Sequence, residues 1–128
     1  MKPFCIVILQ GLLAKQVEFD YAPFGIIGLE TAVPVTMTEL VHKGYLTLPQ
    51  LISKFTKGPA ELLKLPIGSL SIGGAADVTV IDPDVEHTID INSFYSTSRN
   101  TPFHGYQARG WSAATFVDGV CVYSRLDE

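Results

Sequence analysis

The spacing of apolar residues changes character once along this chain, at Pro66, and that change divides it into a helical half and a β half. Before Pro66 the pattern has helical period. Residues 30–43 are expected to form a helix with Leu40 and Val41 on its apolar face. Pro34 falls near the start, where a missing N–H costs little. Gly44 stands where a helix C-cap belongs. Thr47 and Gln50 have capping-box spacing, in which each side chain satisfies an otherwise unpaired backbone N–H. The helix they open is expected over residues 48–57, with Leu51, Ile52 and Phe55 apolar. Gly58 and Pro59 are expected to break it, and a short helix to follow over residues 60–65.

After Pro66 the glycines Gly68, Gly73 and Gly74 mark turns. Residues 77–81, DVTVI, read as a strand with at least one buried face. Asp82, Pro83 and Asp84 read as a turn, with the two carboxylates shaping and solvating it. Residues 87–91 read as a second short strand. A polar loop with interspersed aromatics covers residues 93–105. Two apolar runs, 111–117 and 120–123, flank Asp118-Gly119. That dipeptide favours a hairpin with a type I′ turn, because both central positions need positive φ.

Composition narrows the class. The 128 residues fit one domain or a piece of a larger one. Apolar residues make up 47% and charged residues 17%, enough for a core and against disorder. The net charge of −4, with scattered Lys and Arg, supplies no basic footprint for nucleic acid and no membrane-binding patch. Cys5 and Cys121 lie in apolar runs and are expected to be buried, reduced thiols. There is no CxxC, so no thiol-based zinc knuckle is visible. Residues 4–9 after Met1-Lys2 loosely resemble a signal peptide, but the run is short and interrupted by Gln10 and Gly11. A buried β-strand is the better reading, and the chain is expected in the cytoplasm.

One motif, APFGIIGLET at residues 22–31, resembles the signature of class I dihydroorotases in the amidohydrolase superfamily. Further stretches carry the same resemblance: TELVHKGYLTLPQL, GPAELLKL, GSLSIGGAADVTVIDPD and SRNTPFHGYQARGWSAATFVDGVCVY. Together they cover roughly residues 15–123. The resemblance implies an α/β chain that is the C-terminal portion of such an enzyme. Residues 15–66 would be the end of a (β/α)8 barrel, contributed as helices. Residues 67–128 would be the C-terminal strands of an accessory β-sandwich, with a loop that contacts the barrel. Residues 1–14 do not resemble the family at this point.

The resemblance also implies what is missing. The family binds zinc through an HxH pair, a carboxylated lysine, two further histidines and an aspartate in a TDHAPH-like motif. None of these motifs occurs here. His42, His87 and His104 have no ligand spacing, so no metal ligand and no catalytic residue is assigned to this chain. Zinc would belong to the complete enzyme. Ser96, Ser98 and His104 share a loop with Arg99, but a triad needs an orienting acid and an oxyanion hole, and sequence proximity supplies neither.

One role carries over by resemblance. The Phe-Gly of the APFG segment lies against the substrate in the family, which maps onto Phe24 and Gly25 as substrate-binding residues. A glycine there lets main chain approach a ligand closely. Asn100 and Thr101 are expected to satisfy loop backbone groups, and Arg99 to pair with an acidic neighbour. Trp111 and Tyr106 are expected to pack against the β domain or the barrel wall.

The implied activity is reversible cyclisation of carbamoyl aspartate to dihydroorotate, with this chain inactive alone. Two alternatives stand beside it: a hydantoinase- or allantoinase-like amidohydrolase, and a non-catalytic subunit of the kind that accompanies aspartate transcarbamoylase. Partial barrel and sandwich elements leave open edges and apolar faces. Self-association, or a chain that supplies the rest of the barrel, is therefore expected.

Overall fold

The computed structural model describes residues 18–21 and 25–125. The strand expected over residues 4–9, Cys5 and Phe24 lie outside the described residues. The described residues form two compact units. One comprises those up to Ala32 together with His87–Ala108; the other comprises Val33–Glu86 together with those from Arg109 onward.

The second unit carries the helices. The first, α1, spans Ala32–Thr36 and widens into a π-helical stretch at Met37–His42. A side chain bonds the backbone where the widening begins. The Thr38 hydroxyl donates to the Pro34 carbonyl at 2.8 Å, the acceptor that the Thr38 amide would use in an α-helix. The same hydroxyl accepts from the Arg109 amide at 2.7 Å. The buried positions of this helix are Pro34 and Met37, one turn apart, rather than Leu40 and Val41, which are half-buried. Gly44 ends it as expected: its N–H donates to the Val41 carbonyl, and that of Leu46 to Leu40.

The capping box forms at the start of α2, Leu48–Phe55, where the Thr47 amide donates to Gln50 Oε1 at 2.8 Å. Only Leu51 of the expected apolar set is buried; Ile52 and Phe55 are exposed. The helix breaks at Thr56 (φ −120°, ψ −85°), before Gly58 and Pro59. Those two residues lie inside the first turn of α3, Lys57–Leu62. The physical reason is positional. The first four N–H groups of a helix have no intrahelical acceptor, so a proline in that turn forfeits nothing.

Three strands form one sheet in the order β1-β2-β3: β1 is Val78–Thr88, β2 Gln107–Val117 and β3 Val120–Ser124. The expected break at Asp82-Pro83-Asp84 and the separate strand after it are replaced by one continuous β1. Asp82 still makes its local bonds, Oδ1 accepting from the amides of Asp84 (3.0 Å) and Val85 (3.2 Å), but within the strand. The His42 ring meets the Pro83 carbonyl at 2.9 Å. The β2–β3 hairpin forms as read from the sequence: antiparallel, with Val117 opposite Val120, and Asp118 and Gly119 at φ +50° and +77°. The register shifts between Thr115 and Phe116, whose partners are Tyr123 and Cys121. This leaves Val122 as the extra residue of a bulge. Cys121 is exposed, not buried, because it lies in β3, where Val120 and Val122 are exposed as well.

Met37 is fully buried, and Gly110 makes room for it. A Cβ at Gly110 would stand 2.6 Å from both Cβ and Cγ of Met37, and the backbone there has φ +85°. Gly110→Ala therefore combines a strained backbone with overpacking and should cost about 3 kcal/mol. Gly44 has a similar φ of +77° with nothing within 4 Å of its missing Cβ. Gly44→Ala should cost only about 1 kcal/mol. Urea unfolding of the two variants measures the difference; equal losses would contradict the packing argument.

Candidate functional site

The first unit brings the two sequence motifs together. The segment 25–31 has no regular structure up to Gly28, and the Thr31 amide closes a turn onto the Gly28 carbonyl at 3.1 Å. Ile27 and Thr31 point inward and are buried; Ile26 and Leu29 are exposed. Gly25 has φ +100°, a conformation that favours glycine, and it is exposed.

The loop of residues 89–105 has little regular structure, so its backbone must find other partners. Gly105 N–H donates to the Ile89 carbonyl, and Ile89 N–H to the Tyr106 carbonyl, which closes its base. Asp90 Oδ1 accepts from the Asn92 amide at 2.9 Å, capping a short 3₁₀ turn, Ile91–Ser93. The Arg99 guanidinium donates to the carbonyls of Ser96 and Ser98, and among the described residues it pairs with no acid. A five-donor fork suits the carbonyls that a loop leaves unsatisfied. Thr101 accepts from the Phe103 amide, as expected of a residue serving loop backbone. Phe103 and Tyr106 meet edge to face, with ring centres 6.3 Å apart.

Two side chains tie this loop to the segment 25–31. Glu30 accepts from two consecutive backbone amides: Oε2 from Tyr95 at 2.9 Å and Oε1 from Ser96 at 3.1 Å. Asn100 is buried and works from both its backbone and its side chain. Its carbonyl accepts from Ile27 N–H at 3.2 Å, and its Nδ2 donates to the Gly25 carbonyl at 3.4 Å. Asn100 Oδ1 has no hydrogen-bond partner among the described residues. Beside the Glu30 tether opens an apolar cavity of about 380 Å³, lined by Ile27–Thr31 and by Phe94, Tyr95 and Ser96.

Phe24, the first carried-over substrate residue, is outside the described residues. Gly25 is brought next to Asn100, a pairing that the sequence did not disclose. Ser96 Oγ accepts from the Ser98 amide, and His104 Nδ1 from the Ile91 amide at 3.4 Å, so no hydroxyl–imidazole pair forms among these three. His104 Nδ1 also lies 3.8 Å from Asp90 Oδ1 at the surface. The donor set does not fit the family's zinc centre: among the described residues no three His, Cys, Asp or Glu side chains converge on a common point. No helix of the described residues is long and apolar enough to cross a membrane.

Comparison with known proteins identifies relatives along most of this length. The model of the Amidohydrolase family matches residues 17–122. A dihydroorotase of Geobacillus sp. is 48% identical over 111 residues, covering 87% of this chain and 26% of the relative. A dihydroorotase of Halalkalibacterium halodurans is 51% identical over 137 residues, covering 94% of this chain and 32% of the relative. Among solved structures, the L-hydantoinase (dihydropyrimidinase) of Arthrobacter aurescens superposes with a TM-score of 0.77 at 33% identity. The superposition covers 82% of this chain and 24% of that one. The chain thus spans about a quarter to a third of the length of these curated relatives.

The purified chain should retain no stoichiometric zinc after dialysis. Of the three histidines, His42 and His104 already serve backbone groups, and no cluster is available among the described residues. Elemental analysis checks this; one tightly held zinc per chain would mean that a donor set had been missed.

Proposed function

The chain belongs to the amidohydrolase family, and from that premise we propose that it is the C-terminal segment of a dihydroorotase-like cyclic amidohydrolase. The parent reaction is reversible conversion of carbamoyl aspartate to dihydroorotate, in the cytoplasm. The single observation that carries this reading is the 48–51% identity to dihydroorotases over nearly the whole chain. In this reading residues 15–66 complete a (β/α)8 barrel, and residues 67–128 complete the accessory β-sandwich. Phe24 and Gly25 offer main chain to the substrate ring. The chain alone is inactive, because zinc and the acid/base aspartate would come from the rest of the enzyme. A metal in such a site activates water and polarises the scissile carbonyl.

Exposed apolar side chains support a covering partner. Leu62 and Leu70 are each 83% exposed, and Leu63, Ile67 and Ile72 are exposed nearby. Exposed apolar side chains favour association. The proposed occupant is the chain that supplies the rest of the barrel, with self-association in its absence. A hydantoinase-like parent is the second reading, favoured by the superposition on the Arthrobacter enzyme. The lower identity of that match, 33%, places it behind dihydroorotase. A non-catalytic subunit beside aspartate transcarbamoylase is the reading to which a failed test would lead.

The test is fragment complementation. The chain alone should convert neither carbamoyl aspartate nor dihydroorotate at acidic or alkaline pH. Mixed with the separately produced remainder of the Geobacillus dihydroorotase, itself inactive, it should restore turnover. A silent mixture, or turnover by the chain alone that persists in a chelator, would overturn the proposal.

A further inference from the structure

Of the two tethers described above, Asn100 bonds Gly25, the residue to which the proposed function assigns substrate contact, and Glu30 bonds the loop that carries Asn100. Glu30 uses both carboxylate oxygens, one for each of two consecutive amides, Tyr95 and Ser96. A carboxylate is acceptor-only and suits two converging donors. A carboxamide would turn its NH₂ toward one of them. Asn100 grips the segment 25–31 at alternate residues, through Ile27 N–H and the Gly25 carbonyl. Gly25 itself selects no single conformation, since glycine populates positive and negative φ about equally. Its φ of +100° is one that its surroundings must hold, and Asn100 Nδ2, 3.4 Å from its carbonyl, is one of the groups that do so.

We propose that Glu30 and Asn100 are positioning residues that present the Gly25 main chain to a cyclic amide in one fixed geometry. Asn100 acts on Gly25 directly. Glu30 acts through the loop, holding residues 95 and 96 so that Asn100 stays in register with the segment. Main chain ordered before binding adds no ordering cost when the ring arrives. The inference rests on the substrate contact assigned to Gly25 above.

Two variants, Glu30→Ala and Glu30→Gln, are introduced into the chain and tested in the complemented assembly. Loss of two charge-assisted hydrogen bonds in Glu30→Ala should raise KM for dihydroorotate about tenfold. The kcat per assembled site should stay within about threefold, because the reacting groups are supplied elsewhere. Glu30→Gln, which keeps one acceptor, should fall between. A merely structural role would lower the number of assembled sites and leave KM unchanged; that result overturns the proposal. If the assembly with the unaltered chain is silent, the proposed function is what has failed. The tether is then decided by hydrogen exchange on the chain itself. Peptides across residues 94–101 and 25–31 should both exchange about tenfold faster in Glu30→Ala. Unchanged exchange across 25–31 would overturn it.

Discussion

One carboxylate connects parts of the chain 65 residues apart, and the order of the first unit depends on it. The loop that begins at Ile89 has almost no ladder or helix to absorb its amides, so side chains must do so. Asp90, Ser96 and Thr101 each satisfy a neighbour within a few residues. Those bonds shape the loop but leave its position undetermined. Glu30 and Asn100 supply the long-range bonds that fix it against the segment 25–31. A half-buried amide left without an acceptor costs about 1–3 kcal/mol, so losing Glu30 would penalise the Ser96 amide, while the exposed Tyr95 amide could turn to water.

The second unit depends on a close approach instead. Met37 fills the space that Gly110 leaves, and the Thr38 hydroxyl bonds both the Pro34 carbonyl and the Arg109 amide. Arg109 in turn reaches Glu86 on β1, with Nε 2.7 Å from Oε2. That pair is half exposed, so its contribution is orientation more than stability. Helix α1, its π-helical continuation and the sheet are thus joined by a handful of specific contacts. Much of the remaining apolar surface, from Tyr45 to Leu62 and Leu70, stays exposed. This is the physical basis for proposing that another chain covers it.

What was legible in the sequence is what local chemistry decides. Asp118-Gly119 announces its turn, Gly44 its helix end and Thr47 with Gln50 their capping box. Each needs only residues within a few positions. The misread features depend on contacts from a distance. Gly58 and Pro59 look like a break, yet the helix had already broken at Thr56 and simply restarted with them in its first turn. Asp82-Pro83-Asp84 has turn chemistry, and Asp82 makes its turn bonds, but the strand runs through. Cys121 sits in an apolar run whose strand is exposed. Arg99 bonds carbonyls because the loop folds back on it. Of the candidate site, Gly25 could be named from its motif. Asn100 could be named as serving backbone within its loop, but not as bonding Gly25, and Glu30 could not be named at all, because their partners lie far along the chain and are backbone groups that carry no sequence signal.

The central claim is that this chain is completed by another, and the most direct measurement of it is its state in dilute solution. Light scattering, paired with hydrogen exchange on the same samples, reads both association and internal order. The account gives a chain that self-associates as concentration rises, with exchange slowed where apolar residues such as Leu62 and Leu70 become covered. A monodisperse monomer with well-protected amides throughout would contradict it, and would mean that the chain is a self-sufficient domain.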